Sequence, residues 1–181
     1  MEFIDVVNKR KSVRDYLNNP VSREDLDIIV SAAKCAPRAG DFQITVIEDK
    51  TVIQEINDIA LKIMQNSDNP FMRERASLPG YQPVYGAPVL VIFSAPEENI
   101  FADLTVACAA ENMILTATNL GLGTCFMVSP TLPFTSPTKN DLSKKINLPE
   151  AYKPICAVAI GKSGEDKFTT PKIDQNNVNF I

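Results

Sequence analysis

The sequence predicts an α+β protein in which helices flank a mixed central sheet. Stretches with helical spacing of apolar residues are followed by short runs of β-branched residues, so predicted helices and strands succeed one another along the chain. A second observation is the stretch 104–138, which carries one charge, Glu111, in a chain that is 22% charged. The length of 181 residues suits a single domain, which we expect to span residues 1–181.

Two predicted helices open the chain. Residues 2–9 have amphipathic helical spacing, and residues 23–35 show a second helical pattern with one apolar face. Ser22 followed by Asp25 is typical of a capping box at the start of the second helix, and Pro37 ends it.

One segment in the middle of the chain is irregular. Residues 66–88 contain four prolines and little periodicity, which is typical of a lid or binding segment but equally of a disordered connector. The apolar run 89–94 then predicts a central strand. The other predicted elements are a strand at 43–48, a helix at 51–65, a strand at 124–128, a short helix at 141–146 and a strand at 155–161.

The stretch 104–120 predicts a helix that is apolar on nearly every side. Its few polar residues include Thr105 and Asn112, which share one narrow stripe. Such a helix is buried almost all round, either as a plain core helix or as one that a second subunit covers. Glu111 interrupts the apolar run and argues against a membrane span, and Gly121 is placed to form the C-cap.

Composition narrows the class of protein. A net charge of -4 argues against a nucleic-acid partner. The first residues carry acids and no apolar leader, so we expect no signal peptide and a cytoplasmic location. The four cysteines are widely spaced and none forms a CxxC pair, which favours free thiols in a reducing compartment over a zinc or dithiol site.

The chain contains no histidine. Ser-His-Asp and Cys-His catalysis, and imidazole metal sites, are therefore excluded. If the protein is an enzyme, a bound cofactor is expected to carry the chemistry.

A basic cluster follows the first helix. It contains Lys9, Arg10, Lys11 and Arg14, with Ser12 among them. Several cations with a hydroxyl make a good phosphate site, because each charge-assisted hydrogen bond contributes about 1.5–3 kcal/mol. The alternative is a solvated basic turn.

Three separated pieces of the sequence resemble the FMN-dependent nitroreductase family. They are RKSVRDYLNNPVSREDL at 10–26, AAKCAPRAGDFQITVIED at 32–49 and AAENMILTATNLGLGTCFM at 109–127. The sequence departs from the family pattern where Arg38 replaces a small residue and Asp41 replaces an asparagine.

The resemblance implies a nitroreductase-like fold and an obligate homodimer. It places the long helix at the dimer interface, FMN in a groove between the subunits, and the C-terminal tail against the partner. It also implies an oxidoreductase that passes hydride from NAD(P)H to a nitroaromatic, a quinone or a similar small acceptor.

Site residues follow from the resemblance by position. Those expected to hold the phosphate and the polar edge of the flavin are Arg10, Lys11, Ser12 and Arg14, with Lys172 as a late cation. Those expected near the isoalloxazine ring are Pro37, Arg38, Ala39, Gln43, Val128 and Ser129.

Other functions stay open at this point. The same fold could support reductive dehalogenation or flavin fragmentation, or the protein could be a flavin-binding dimer without turnover. A cofactor-free interaction module is a further alternative.

Overall fold

A computed structural model describes residues 2–137, 139–164 and 177–181. Helices and strands alternate along most of this part of the chain, as the sequence predicts. The helices are α1 (Phe3–Lys9), α2 (Arg23–Lys34), α3 (Lys50–Gln65), α4 (Pro70–Ala76), α5 (Ala102–Asn119) and α6 (Lys139–Lys145), with a 3₁₀ helix at Ser129–Thr135. The strands are β1 (Gln43–Ile47), β2 (Val89–Pro96), β3 (Gly123–Met127) and β4 (Tyr152–Gly161).

The four strands form one sheet in the order β1-β2-β4-β3. Each neighbouring pair is antiparallel. The parallel component of the described sheet is an isolated bridge between Ser12 and Thr124 beside β3. The predicted α+β class is therefore confirmed, and the sheet is mixed only through this bridge.

Helices cover the central strand β2 on both faces, which explains its unbroken apolar run. Val89, Val91 and Phe93 belong to the core beneath α2 and α5. Leu90 and Ile92 belong to the opposite core, beneath α3. Because successive residues of a strand point to opposite faces, a strand covered on both faces is apolar at nearly every position, and Ser94 is the buried polar residue of β2.

The long helix α5 is buried on one side and exposed on the other. Ala109, Ala110 and Met113 have no exposed surface. In contrast, Leu104 is 69% exposed, and Cys108 is also exposed. An apolar helix with one apolar face left uncovered by the described residues differs from a plain core helix.

Gly121 ends α5 with the predicted left-handed cap. Its φ is +77°, and its N–H donates to Thr118 O at 3.0 Å while Leu122 N–H donates to Ala117 O at 2.9 Å. These two bonds define a Schellman motif. The cap turns the chain directly into β3.

Two elements were not anticipated from the sequence. Helix α4 lies within the irregular segment 66–88, where Asn69 accepts from Phe71 N–H and Pro70 occupies the first helical turn. The 3₁₀ helix Ser129–Thr135 contains Pro130 and Pro133, which suppress a helical pattern. The segment 66–88 is thus structured, which favours a binding segment over a disordered connector.

The four cysteines are free thiols in the structure. Burial is the main cause that raises the pKa of the Cys156 thiol to about 12, so this side chain stays protonated and apolar in the core. None of the helices in the described part of the chain combines the length and hydropathy that crossing a membrane requires.

Gly121 provides a direct test of the end of α5. We expect Gly121→Ala to lower the free energy of unfolding by about 1–2 kcal/mol, because a Cβ disfavours the left-handed conformation. Apart from its chain neighbours, no residue in the described part of the chain lies within 4 Å of the added Cβ, so steric overlap with these residues adds nothing. Gly121→Asn is the matched control and should lose less, since asparagine tolerates this conformation. Equal losses in urea unfolding would contradict the assignment.

Candidate active site

The basic cluster is held against the edge of the sheet at β3. After α1 ends, Val13 N–H donates to Thr124 O at 2.8 Å, and Ser12 forms the parallel bridge to Thr124. A Cβ on Gly123 would lie 2.9 Å from Val13 Cγ2. Only glycine therefore allows this close approach, which brings the cluster alongside β3.

The first cavity, which we name the basic cavity, lies between the basic cluster and the end of α5. It has a volume of about 430 Å³, and its lining includes Lys9, Lys11, Thr118 and Ser163. The two ammonium groups and the Ser163 hydroxyl are donor types suited to a phosphate or another anion. The Thr118 hydroxyl donates instead to Ile114 O at 2.8 Å.

The second cavity, which we name the aromatic cavity, lies at the opposite end of β3. It has a volume of about 350 Å³. Arg14, Val128 and Ser129 line one part of it, so the structure brings together three of the predicted site residues. Phe71 and Tyr85 of the segment 66–88 line the other part.

An arginine and two tyrosines form a connected cluster in the aromatic cavity. Arg75 Nη2 donates to Tyr85 Oη at 3.0 Å. The Arg75 Cζ lies 5.3 Å from the centroid of the Tyr81 ring, and the two tyrosine rings meet edge to face at 6.0 Å. The guanidinium is thus fixed by a hydrogen bond and a cation–π contact.

The same contacts act on the ionisation of these groups. The hydrogen bond to Tyr85 is the largest cause that raises the pKa of Arg75 above its ordinary value. Arg75 therefore keeps its positive charge. Burial is the largest cause that raises the pKa of Tyr81, so its phenol stays neutral at physiological pH.

Backbone geometry also marks this cluster. Tyr85 has a φ of +58°, a conformation that costs a residue with a side chain about 1–2 kcal/mol. Asn57, which is 3% exposed, supports the segment: its Oδ1 accepts from Val84 N–H at 3.2 Å. A buried amide on α3 therefore anchors the chain immediately before the strained tyrosine.

The second group of predicted residues lies elsewhere. The exposed turn at 37–39 is tied to α5, where Ala39 N–H donates to Thr105 Oγ1 at 3.0 Å. Gln43 begins β1 and donates to Asn147 O at 3.1 Å. β1 and β3 are opposite edges of the sheet, three strand spacings or about 14 Å apart. Within one chain, the structure does not bring this group to Arg14 and Val128.

Three further predicted residues have separate outcomes. Arg10 is the C-cap residue of α1 and its backbone N–H donates to Val6 O. Ser12 contributes its backbone to the bridge with β3. Lys172 lies outside the described residues.

The sequence marks the segment 66–88 as a possible binding segment but does not place Arg75 in a site. Arg73 and Arg75 are both on α4, and only Arg75 lines the aromatic cavity, while Arg73 donates to Ser67 O. Asn69 followed by Pro70 is a helix-start signal that could have fixed the phase of α4.

The fold and the two cavities define an α+β protein with a candidate binding site at one edge of its sheet. The model of the nitroreductase family matches residues 7–162. The chain belongs to the nitroreductase family.

Solved structures resemble this chain along its full length. A nitroreductase with bound FMN from Bacteroides fragilis is 27% identical, with a TM-score of 0.89 and coverage of 100% of this chain and 99% of the other. A nitroreductase with bound FMN from Desulfitobacterium hafniense is 25% identical, with a TM-score of 0.93 and coverage of 100% and 98%.

A curated relative is longer than this chain. An NADPH-dependent oxidoreductase from Staphylococcus aureus is 24% identical over 90% of this chain. The match covers 65% of the relative's own length.

Asn57 provides a test of how the aromatic cavity is held. We expect Asn57→Leu to lower the free energy of unfolding by about 1–3 kcal/mol, because the buried Val84 N–H loses its acceptor. The matched control is Gln54→Leu on the same helix, because the exposed Gln54 side chain donates to Asp58 on the helix surface. That surface change should stay within about 0.5 kcal/mol. Similar losses for both variants in chemical unfolding would show that Asn57 is no anchor.

Proposed function

We propose that the protein is an FMN-dependent oxidoreductase that passes hydride from NAD(P)H to a nitroaromatic, a quinone or a similar small acceptor. The observation that carries this proposal is the basic cluster fixed at β3 between the basic cavity and the aromatic cavity. Membership of the nitroreductase family and the resemblance to structures with bound FMN support it. We further propose that residues 1–181 act as one FMN-binding domain.

The residues at the basic cavity suit the phosphate end of FMN. Lys11 lines this cavity. Arg14 lies on the other side of Val13, whose N–H donates to Thr124 O of β3. Arg10, Ser12 and Lys172 are proposed to complete the phosphate site. A doubly charged phosphate is favoured wherever several cationic donors converge in a partly desolvated cavity.

The ring end of FMN is proposed to lie at the aromatic cavity. Val128 and Ser129, where β3 passes into the 3₁₀ helix, can offer backbone groups to the polar edge of the ring. Pro37, Arg38, Ala39 and Gln43 are proposed to contact the ring from the partner subunit.

A homodimer is proposed because α5 connects the two halves of the site. Thr105, near one end of α5, holds the turn at 37–39. Thr118, about 20 Å further along the helix, lines the basic cavity. A two-fold axis perpendicular to α5 would pair the helices antiparallel and would bring the turn of one subunit to the basic cluster of the other.

The exposed apolar surface supports this assembly. Leu104 and Cys108 are exposed on α5, and Phe3 and Ile4 are exposed on α1. In the C-terminal tail, Phe180 is 97% exposed. We propose that the tail lies against the partner, because a bare aromatic side chain gains about 1.5–3 kcal/mol when it is fully buried.

The chemistry that FMN supplies when bound is two-electron transfer, from NAD(P)H and then to the acceptor. The chain's own residues bind, orient and exclude water. No histidine is present to act as a proton shuttle, and none is needed for hydride transfer. We also propose a cytoplasmic location, since the exposed thiols Cys35 and Cys108 are free.

The visible absorption spectrum and anaerobic reduction test the proposal. We expect a yellow protein that releases FMN on unfolding and is bleached by NADH or NADPH in stopped-flow. A colourless protein that does not take up added FMN would refute the cofactor. A yellow protein that is not reduced would be a flavin binder without this activity.

Charge removal at the phosphate end sharpens this test. We expect Lys11→Gln and Arg14→Gln each to raise the Kd for FMN about tenfold to a hundredfold, because each removes a charge-assisted hydrogen bond. Lys62→Gln, an exposed change on α3, is the charge-matched control and should leave the Kd unchanged. Unchanged FMN binding in both test variants would show that the phosphate lies elsewhere.

A further inference from the structure

The aromatic cavity has an unusual charge for this protein. Two of its lining residues are arginines, Arg14 and Arg75, and the described residues that line it include no Asp or Glu. The chain as a whole carries a net charge of -4. The positive charge of the cavity is therefore a local feature of the site.

Arg75 keeps donors available inside the cavity. Its guanidinium has five N–H groups, and its contacts are to Tyr85 and Tyr81. Neither an ion pair nor a further hydrogen bond of Arg75 occurs within residues 2–137, 139–164 and 177–181. A half-buried arginine held in place by two tyrosines is ready to bind an anion through its remaining donors.

The surroundings of Arg75 suit a planar apolar body beside that anion. Phe71 is 68% exposed at the rim, and Met72 and Tyr81 line the wall. An aromatic ligand would cover these surfaces, since aromatic pairs gain from stacking and edge contacts in addition to burial.

The strained backbone points to the same feature. Tyr85 keeps its unfavourable φ of +58° while its hydroxyl accepts from Arg75. Strain of this kind is stored at sites where it positions a group for a ligand. Here the strained residue is the one whose hydroxyl holds the guanidinium at the wall of the cavity.

We infer that the aromatic cavity selects acceptors that are aromatic carboxylates, with Arg75 binding the carboxylate and the rim aromatics covering the ring. This inference rests on the proposed function and names the acceptor class of the same site. Arg14 is assigned to FMN, so Arg75 is the cation that meets the acceptor. The other anion that could reach Arg75 is the additional phosphate of NADPH. The part of the aromatic cavity that Phe71 and Tyr85 line, which the proposed ring position at Val128 and Ser129 leaves open, is better matched to a small acid.

Calorimetry with a non-reducible pair of ligands tests the inference without turnover. We expect the purified protein to bind benzoate about tenfold to a hundredfold more tightly than benzamide, which has the same shape and no charge. Arg75→Gln should erase this preference and leave benzamide binding unchanged, which also shows that the variant is folded. Arg75→Lys should restore part of it, since it keeps the charge and loses the planar fork.

Arg73→Gln is the matched control, because it removes the same charge from the same helix outside the cavity. It should keep the preference for benzoate. Equal binding of benzoate and benzamide by the unaltered protein, or equal losses in the Arg73 and Arg75 variants, would overturn the inference.

Steady-state kinetics show whether Arg75 binds the carboxylate of the acceptor or the additional phosphate of NADPH. We expect Arg75→Gln to lower kcat/KM for para-nitrobenzoate relative to that for para-nitrobenzamide. The factor should equal the change in the ratio of the two Kd values from calorimetry, and the ratio of kcat/KM with NADPH to kcat/KM with NADH should be unchanged. If Arg75→Gln changed the NADPH-to-NADH ratio of kcat/KM but left the ratio for the nitro acid and the nitro amide unchanged, Arg75 would bind the coenzyme phosphate. That result would overturn the inference. If the protein holds no FMN, the proposed function fails, and the calorimetric comparison still decides whether the cavity binds acids.

Discussion

The pairing of the basic segment with β3 is the contact on which both cavities depend. The bond from Val13 N–H to Thr124 O fixes the residues before it at the basic cavity and Arg14 at the aromatic cavity. This pairing requires Gly123, because a Cβ there would overlap Val13. Gly121 caps the helix that leads into the same strand. Two glycines with different tasks therefore place one strand and the segment beside it.

Helix α5 links this edge of the sheet to the other half of the proposed site. Its polar residues are anchors: Thr105 bonds to Ala39, and Asn112 Nδ2 donates to Ala32 O at 3.2 Å. Its exposed apolar face is the surface that we propose a second copy of the chain covers. Helix α5 thus packs the core and positions the turn at 37–39, and in the proposed homodimer it also forms the interface.

Local signals in the sequence predicted most of the fold. The apolar run of β2, the spacing of α3 and the glycine after α5 each act over a few residues, and all three are confirmed. The resemblance to the nitroreductase family is confirmed by the family match. What could not be predicted depends on tertiary contacts: the tie between Thr105 and Ala39 joins distant parts of the chain. Likewise, the fact that Arg75 and not Arg73 lines the aromatic cavity depends on the rotational phase of the single short helix α4.

Subunit complementation tests the central claim, that each flavin site combines two chains. One chain would carry Lys11→Gln with Arg14→Gln, and the other Ala39→Glu, so each homodimer has two damaged sites. A heterodimer isolated with two different tags would then hold one intact site, and we expect about one FMN per dimer at the affinity of the unaltered protein. Flavin content as low as in the two homodimers would show that both halves of the site come from the same chain.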